Sequence, residues 1–217
     1  MPDALETTAA REAEAMFHAD DEEPVWGQAL AELAALLEES GVDHLFIGGL
    51  ASMVHGRPRL TRDLDVLVRP PDARRVLQGL AALGYETEER APHWLFKAHG
   101  RDAEIDIIFH AVGEMYLDEA MLARGRTAEL LGTRIRIAGP EDTLIMKALA
   151  HREISPRHWF DALAIIAGGA LDWTIVGELA STRPRRVLSL LLYAQSDDLF
   201  VPAWLVDQLY HAARGDP

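Results

Sequence analysis

Cysteine is absent from the 217 residues, which excludes a disulfide framework, a zinc–thiolate site and a thiol nucleophile. Long apolar runs are absent too. The longest, Leu163 to Leu171, is broken by Gly168 and Gly169, far short of the roughly 18 residues a membrane-spanning helix needs. No basic flank followed by an apolar stretch stands near the N-terminus, so no secretory leader is expected. The chain is read as cytoplasmic, with no membrane partner. Its nine histidines form no HExxH and no close pair on one helix face, so a zinc-like pattern is missing. Positive charge is scarce: 21 Lys and Arg stand against 35 Asp and Glu, a net charge of −14. That balance argues at first against a polyanionic partner. However, the first 25 residues hold eight acids and one base, so half of the excess lies in that segment. The body is only mildly acidic, and local basic groups matter more. Arg124, Arg126, Arg134 and Arg136 form one group, and Arg134 and Arg136 share a strand face, the better candidate for a nucleic-acid surface. Arg183, Arg185 and Arg186 read as a solvated helix start.

What is present suits an ordinary globular protein of one or two domains, with 49% apolar and 26% charged residues. Three segments are expected: an acidic N-terminal segment over 1–25, a mixed α/β core over 26–139 and a helical part over 140–217. Leu30, Leu33, Leu36 and Leu37 place one face of a helix between Trp26 and Glu39, closed by Gly41. His44 to Ile47 reads as a short strand stopped by Gly48-Gly49, and Leu50 to His55 as a short helix. Leu64 to Val68 alternates as the clearest strand. Pro70-Pro71-Asp72 opens a helix through Leu83. Trp94 to Ala98 and Ala103 to Phe109 fit strands joined by a turn at Gly100-Arg101-Asp102, and Thr133 to Ile137 fits another. Beyond Pro140 five helices are expected: Glu141–Arg152, Arg157–Ala167, Trp173–Ala180, Arg185–Ala194 and Ala203–Ala213. Trp159, Trp173 and Trp204 fall on apolar helical faces and read as core.

The informative stretch runs from Phe46 to Val68: a strand, a glycine pair, a short helix, a turn, and a second strand that starts Asp63-Leu64-Asp65. Residues two apart on a strand share a face, so both carboxylates point one way while Leu64 points to the core. Two carboxylates about 4 Å apart repel by roughly 4 kcal/mol at an effective dielectric near 20. A basic side chain, a proton or a cation must compensate, and paired oxygen ligands suit Mg²⁺. A glycine pair before a helix suits a phosphate, because backbone N–H groups are exposed and no Cβ obstructs approach. Asp106 lies out of phase with the apolar residues of its strand, so an adjacent strand would bring it beside Asp63 and Asp65.

This block resembles the nucleotidyltransferase superfamily that includes polymerase β: an apolar residue, Gly-Gly or Gly-Ser, a spacer, Asp-x-Asp on a strand, and a third acid on a later strand. The spacer between Gly49 and Asp63 is 13 residues. The extended pattern is present in full as Gly48, Gly49, Ala51, Gly56, Arg59, Thr61, Asp63 and Asp65. It resembles the bacterial AbiEii/MenT-type branch, many of whose members are toxins of toxin–antitoxin pairs. That branch often carries a helical Lys and, on the next helix, an Asp preceded by a basic residue; Lys147 and Asp161, after Arg157 and His158, match this. The sequence departs from many toxin members in having Gly49 where they have Ser.

The resemblance implies an α+β fold: a mixed sheet with flanking helices, followed by an all-helical part. It implies Mg²⁺-dependent transfer of a nucleoside monophosphate from an NTP such as ATP to an acceptor hydroxyl, with release of pyrophosphate. Asp63, Asp65 and Asp106 would hold two Mg²⁺ ions, with Lys147 as a fourth catalytic residue. Gly48, Gly49, Ser52, Arg59, Thr61 and Asp161 would bind the nucleotide. The acceptor is tRNA if the chain is a toxin, with an antitoxin protein as partner. It is a small molecule, such as an aminoglycoside-type antibiotic, in other branches. A catalytically silent module that keeps the fold is a further alternative.

Overall fold

The computed structural model describes residues 26–57, 61, 63–152 and 154–215. Arg59 and the acidic segment 1–25 lie outside the described residues. Helix α1 (Trp26–Glu39) leads into β1 (His44–Phe46), α2 (Gly48–His55), β2 (Asp63–Val68) and α3 (Pro70–Ala82). Then follow β3 (Glu86–Ala91), β4 (Leu95–Gly100), β5 (Ala103–Ile108), α4 (Glu119–Arg124), β6 (Arg126–Leu130) and β7 (Thr133–Ile137). The remaining elements are helical: α5 (Pro140–Ala150), α6 (Arg157–Ala167), α7 (Trp173–Ala180), α8 (Pro184–Ser196) and α9 (Ala203–Arg214). The expected α+β class holds, and no strand follows β7 among the described residues.

The seven strands form one mixed sheet in the order β3-β4-β5-β2-β1-β7-β6. The two acid-bearing strands, β2 and β5, lie side by side and parallel, with Asp63 opposite Glu104 and Asp65 opposite Asp106. Side chains of β2 alternate strictly. Leu64, Val66 and Val68 enter a core with Leu30, Leu33 and Leu37 of α1, Val76 and Leu80 of α3, and Ile105 and Ile107 of β5. The opposite face carries Asp63 and Asp65, each partly buried, and then Leu67, which joins a smaller cluster with Leu45, Ile47, Met121 and Met146. The same face of the sheet is thus acidic at one end and apolar at the other.

Helix α5 joins sheet to helices. Every residue from Pro140 to Leu149 is buried, the pattern of a helix packed on all sides. Leu144, Ile145 and Ala148 enter the helical core with Ile165, Val176, Leu190, Leu191 and Leu205. A two-pronged ion pair ties its first turn to α4: Arg124 Nε and Nη2 donate to Asp142 at 2.8 and 2.7 Å, and Asp142 is fully buried.

Three elements lie where the sequence showed none. Strand β3 (Glu-Thr-Glu-Glu-Arg-Ala) is exposed along most of its length. As an edge strand it needs no apolar face, and its charges discourage edge-to-edge pairing. Strand β6 pairs with β7 through Leu131 and Gly132, both at positive φ, a tight hairpin whose twist requires that conformation. Helix α4 is a short turn capped by Asp118, whose carboxylate accepts from Met121 N at 2.7 Å. The turn expected at Gly100-Arg101-Asp102 is present, with Arg101 and Asp102 at φ 54 and 52°.

Two expectations about surfaces are corrected. The basic group does not form one patch: Arg124 is committed to Asp142 and Arg136 donates to Leu122 O at 3.0 Å, leaving Arg126 and Arg134 exposed. Trp204 is not core but half-exposed on α9, because that helix is the last layer and its outer face meets solvent. Arg183, Arg185 and Arg186 are exposed, as a solvated helix start should be.

Candidate active site

The strand β1 ends at Phe46, and Ile47 N donates to Asp65 O at 2.9 Å, tying the following corner to β2. Gly48 takes φ +61°, and a Cβ placed on it would stand 1.9 Å from Asp65 Oδ2. The Asp65 carboxylate therefore lies directly over the corner, and no side chain fits there. The Gly49 N–H, at the start of α2, donates to that carboxylate. A Cβ on Gly49 would meet Thr61 Oγ1 at 2.7 Å and Thr61 Cβ at 3.0 Å. This is a physical reason for glycine at position 49: buried Thr61 fills the space a side chain would take.

A cleft of about 510 Å³ opens between this corner and the helical half. Gly48, Gly49, Thr61, Asp63, Asp65, Lys97, Glu104 and Asp106 line the sheet side. Thr143, Met146 and Lys147 of α5, with Arg157 and His158 of α6, line the other. The cleft therefore gathers seven of the ten residues singled out in the sequence: Gly48, Gly49, Thr61, Asp63, Asp65, Asp106 and Lys147. Two others stand behind it. Ser52 is fully buried, and its hydroxyl donates to Gly48 O at 2.8 Å, which braces the glycine corner from within. Asp161 is also fully buried. It accepts from Lys147 Nζ at 2.9 Å and from Arg57 Nη1 at 2.5 Å, so it touches the cleft lining through Lys147.

Charges on the sheet side are crowded. Burial, then the neighbouring Asp106, push the Asp65 pKa up to about 6, with Asp63 adding to the rise and Lys147 and the Gly49 N–H opposing it. Burial likewise raises Asp106, against the hydrogen bond and charge of Lys97. Lys97 was not singled out in the sequence. It sits on β4 directly opposite Asp106, its Nζ 2.7 Å from Asp106 Oδ1 and also bonded to Glu104. A signal for it exists in the composition: Lys97 and Lys147 are the only two lysines of the chain, and both line the cleft. Among the described residues, no group of three or more His, Asp or Glu side chains stands ready to hold a metal ion.

No described helix is long and apolar enough to cross a membrane. No match is found among curated proteins. Solved structures resemble the fold. The antibiotic-resistance factor ANT(2'')-Ia in solution has a TM-score of 0.56 at 17% identity, over 78% of this chain and 97% of its own. ANT(2'')-Ia in complex with adenylyl-2''-tobramycin scores 0.55 at 19% identity, over 75% of this chain and 99% of its own. The lincosamide antibiotic adenylyltransferase LnuA, lincomycin-bound, scores 0.48 at 19% identity, over 64% of this chain and 94% of its own. A family described as "Nucleotidyl transferase of unknown function (DUF2204)" matches residues 27–179. That match spans most of the chain, from α1 through nearly all of α7, and encloses every residue of the cleft, so the chain belongs to the DUF2204 nucleotidyl transferases.

Proposed function

We propose that this nucleotidyltransferase transfers a nucleoside monophosphate from an NTP to an acceptor hydroxyl and releases pyrophosphate. The observation that carries this reading is the placement of Asp63, Asp65 and Asp106 on one cleft wall beside a corner only glycine can form. The donor set fits divalent cations: it is all oxygen and acidic, and Asp65, raised first by burial and then by the neighbouring Asp106, would be relieved by a cation. Asp63 and Asp65 would hold Mg²⁺, with Asp106 beside them, and the ions would neutralise charge on the triphosphate when bound.

The chain's own groups supply the rest. Backbone at Gly48 and Gly49 receives the phosphates, with Ser52 and Thr61 fixing the corner. Lys147, held by Asp161, offsets charge building on the pyrophosphate as the bond between the α- and β-phosphates breaks. Arg59, outside the described residues, is assigned to the same task. Asp106 takes the proton of the acceptor hydroxyl as its oxygen attacks the α-phosphorus.

Two acceptor classes fit different parts of the rim. A cationic small molecule, the class to which tobramycin in the ANT(2'')-Ia structure belongs, is supported by the Glu104 carboxylate, 42% exposed along the wall. An RNA end, the acceptor of an AbiEii/MenT-type toxin, is supported by exposed Arg157 and by Phe160 under the Arg57 guanidinium, 5.6 Å away. Incubation of labelled NTPs with total tRNA and, separately, with aminoglycosides tests both. The expected result is one acceptor heavier by one NMP, with an equal amount of pyrophosphate. NTP turnover to inorganic phosphate with no modified acceptor contradicts transfer. Modification of tRNA brings an antitoxin protein into the reading, and modification of the small molecule removes it.

A further inference from the structure

Lys97 has no part in the chemistry above, yet it occupies the acid wall. Its Cα stands opposite that of Asp106 across an antiparallel pair. Its ammonium bridges two carboxylates on the same face of β5, Asp106 at 2.7 Å and Glu104. The side chain is 18% exposed, and Lys97 lines the cleft. An ammonium is a compact point charge with three donors, so it satisfies clustered carboxylate oxygens much as a small cation does.

We propose that Lys97 is a built-in cation that holds Asp106 while the cleft is empty, and that Asp106 exchanges it for a divalent ion as the site loads. This rests on the nucleotidyltransferase reading of the acid wall. Lys97 is a positioning residue: it keeps the third acid aimed, and it sets the divalent concentration at which the wall fills. Release of Lys97 leaves its ammonium beside Glu104, so that carboxylate keeps its partner when the ion arrives.

The test is Mn²⁺ binding without NTP, read from the paramagnetic resonance signal of the free ion, in the wild type and in Lys97→Met and Lys97→Gln. Removing the competitor should tighten Mn²⁺ binding about tenfold, and the gain should vanish when Asp106→Asn is combined with either variant. Two substitutions of different polarity are used so that a folding defect in one, checked by circular dichroism, does not decide the result. Unchanged affinity in both variants overturns the proposal. So does a gain that persists in the Asp106→Asn background, because that is a long-range charge effect and not an exchange at Asp106. Asp63→Asn separates the two levels: if it leaves wild-type Mn²⁺ binding intact, the metal reading of the wall fails as a whole. If it abolishes binding while the Lys97 variants match the wild type, only the exchange fails.

Discussion

The chain has two lysines, and they stand on opposite walls of one cleft in contrasting surroundings. Lys147 is 4% exposed, and its partner Asp161 is fully buried and shared with Arg57. Lys97 is bonded to two acids that both face the cleft, Asp106 with its side chain 19% exposed and Glu104 42%. The first arrangement is a fixed anchor, in which a charge sealed from water must keep its partners. The second is an exchangeable one, because water and ions reach the acids and can replace the ammonium. The helical wall thus carries the buried pair, and the sheet wall the one open to the cleft.

The largest effect should come from the sheet wall itself. Asp63→Asn and Asp65→Asn should each lower transfer by on the order of 10³-fold, without lowering the melting temperature, since each removes one member of a repelling set. Gly48→Ala should lose transfer as well. Its Cβ would displace the Asp65 carboxylate from a position 1.9 Å away, and the positive φ there adds roughly 1–2 kcal/mol of strain for a residue with a side chain. Full activity in Asp63→Asn sinks the chemistry proposed for the wall.

Stability should then separate the two lysine sites. Asp161→Asn takes the shared carboxylate from two cations in a sealed place and should cost about 3–5 kcal/mol in denaturant unfolding. Lys97→Met should cost about 1 kcal/mol or less, because the acids left behind remain open to the cleft. Equal costs would mean that both walls are fixed anchors.

These contrasts also explain how much was legible in the sequence. The diglycine corner and the Asp-x-Asp strand are local patterns, so Gly48, Gly49, Asp63 and Asp65 could be placed from spacing and alternation alone. Asp106 needed a parallel pairing between strands some 40 residues apart, which alternation allows but does not require. Ser52 and Asp161 were found as residues but not as to place: their burial depends on how α2 and α6 pack against the rest of the fold. Lys97 carries no local signal, because one lysine on an alternating strand reads as a solvated face. Only the position of β4 beside β5 turns it toward the acids. Strand β3 lacks an apolar face altogether, so no periodicity marks it.

A smaller effect, dependent on pH, probes the burial and crowding of Asp65. Asp65 has a folded pKa of about 6 against an ordinary value of 3.8. Between those two values the folded chain holds a proton that the unfolded chain has lost. The stability this provides is complete below about pH 4 and falls as pH rises through about 6. Asp65→Asn has nothing to ionise. Its advantage in melting temperature over the metal-free wild type should therefore grow across that window and level off above it. A difference that stays flat with pH would show that neither burial nor like charges hold Asp65 above its ordinary value.

The smallest effect concerns the corner beside that wall. Gly49→Ser places a Cβ 2.7 Å from Thr61 Oγ1 and 3.0 Å from Thr61 Cβ, so Thr61 must move. Thr61 Oγ1 accepts from Asp63 N and donates to Asp63 O, both at 3.3 Å, and its displacement disturbs the start of β2. Thr61→Ala keeps a Cβ but removes the nearer atom, and should recover part of the loss. In a double-mutant cycle the two substitutions should couple by about 1 kcal/mol, with the pair more stable than the sum of the singles. Strict additivity would mean that Thr61 does not set the identity of residue 49. Glycine there would then have to be explained by what the backbone of the corner receives, a phosphate, and not by what packs behind it.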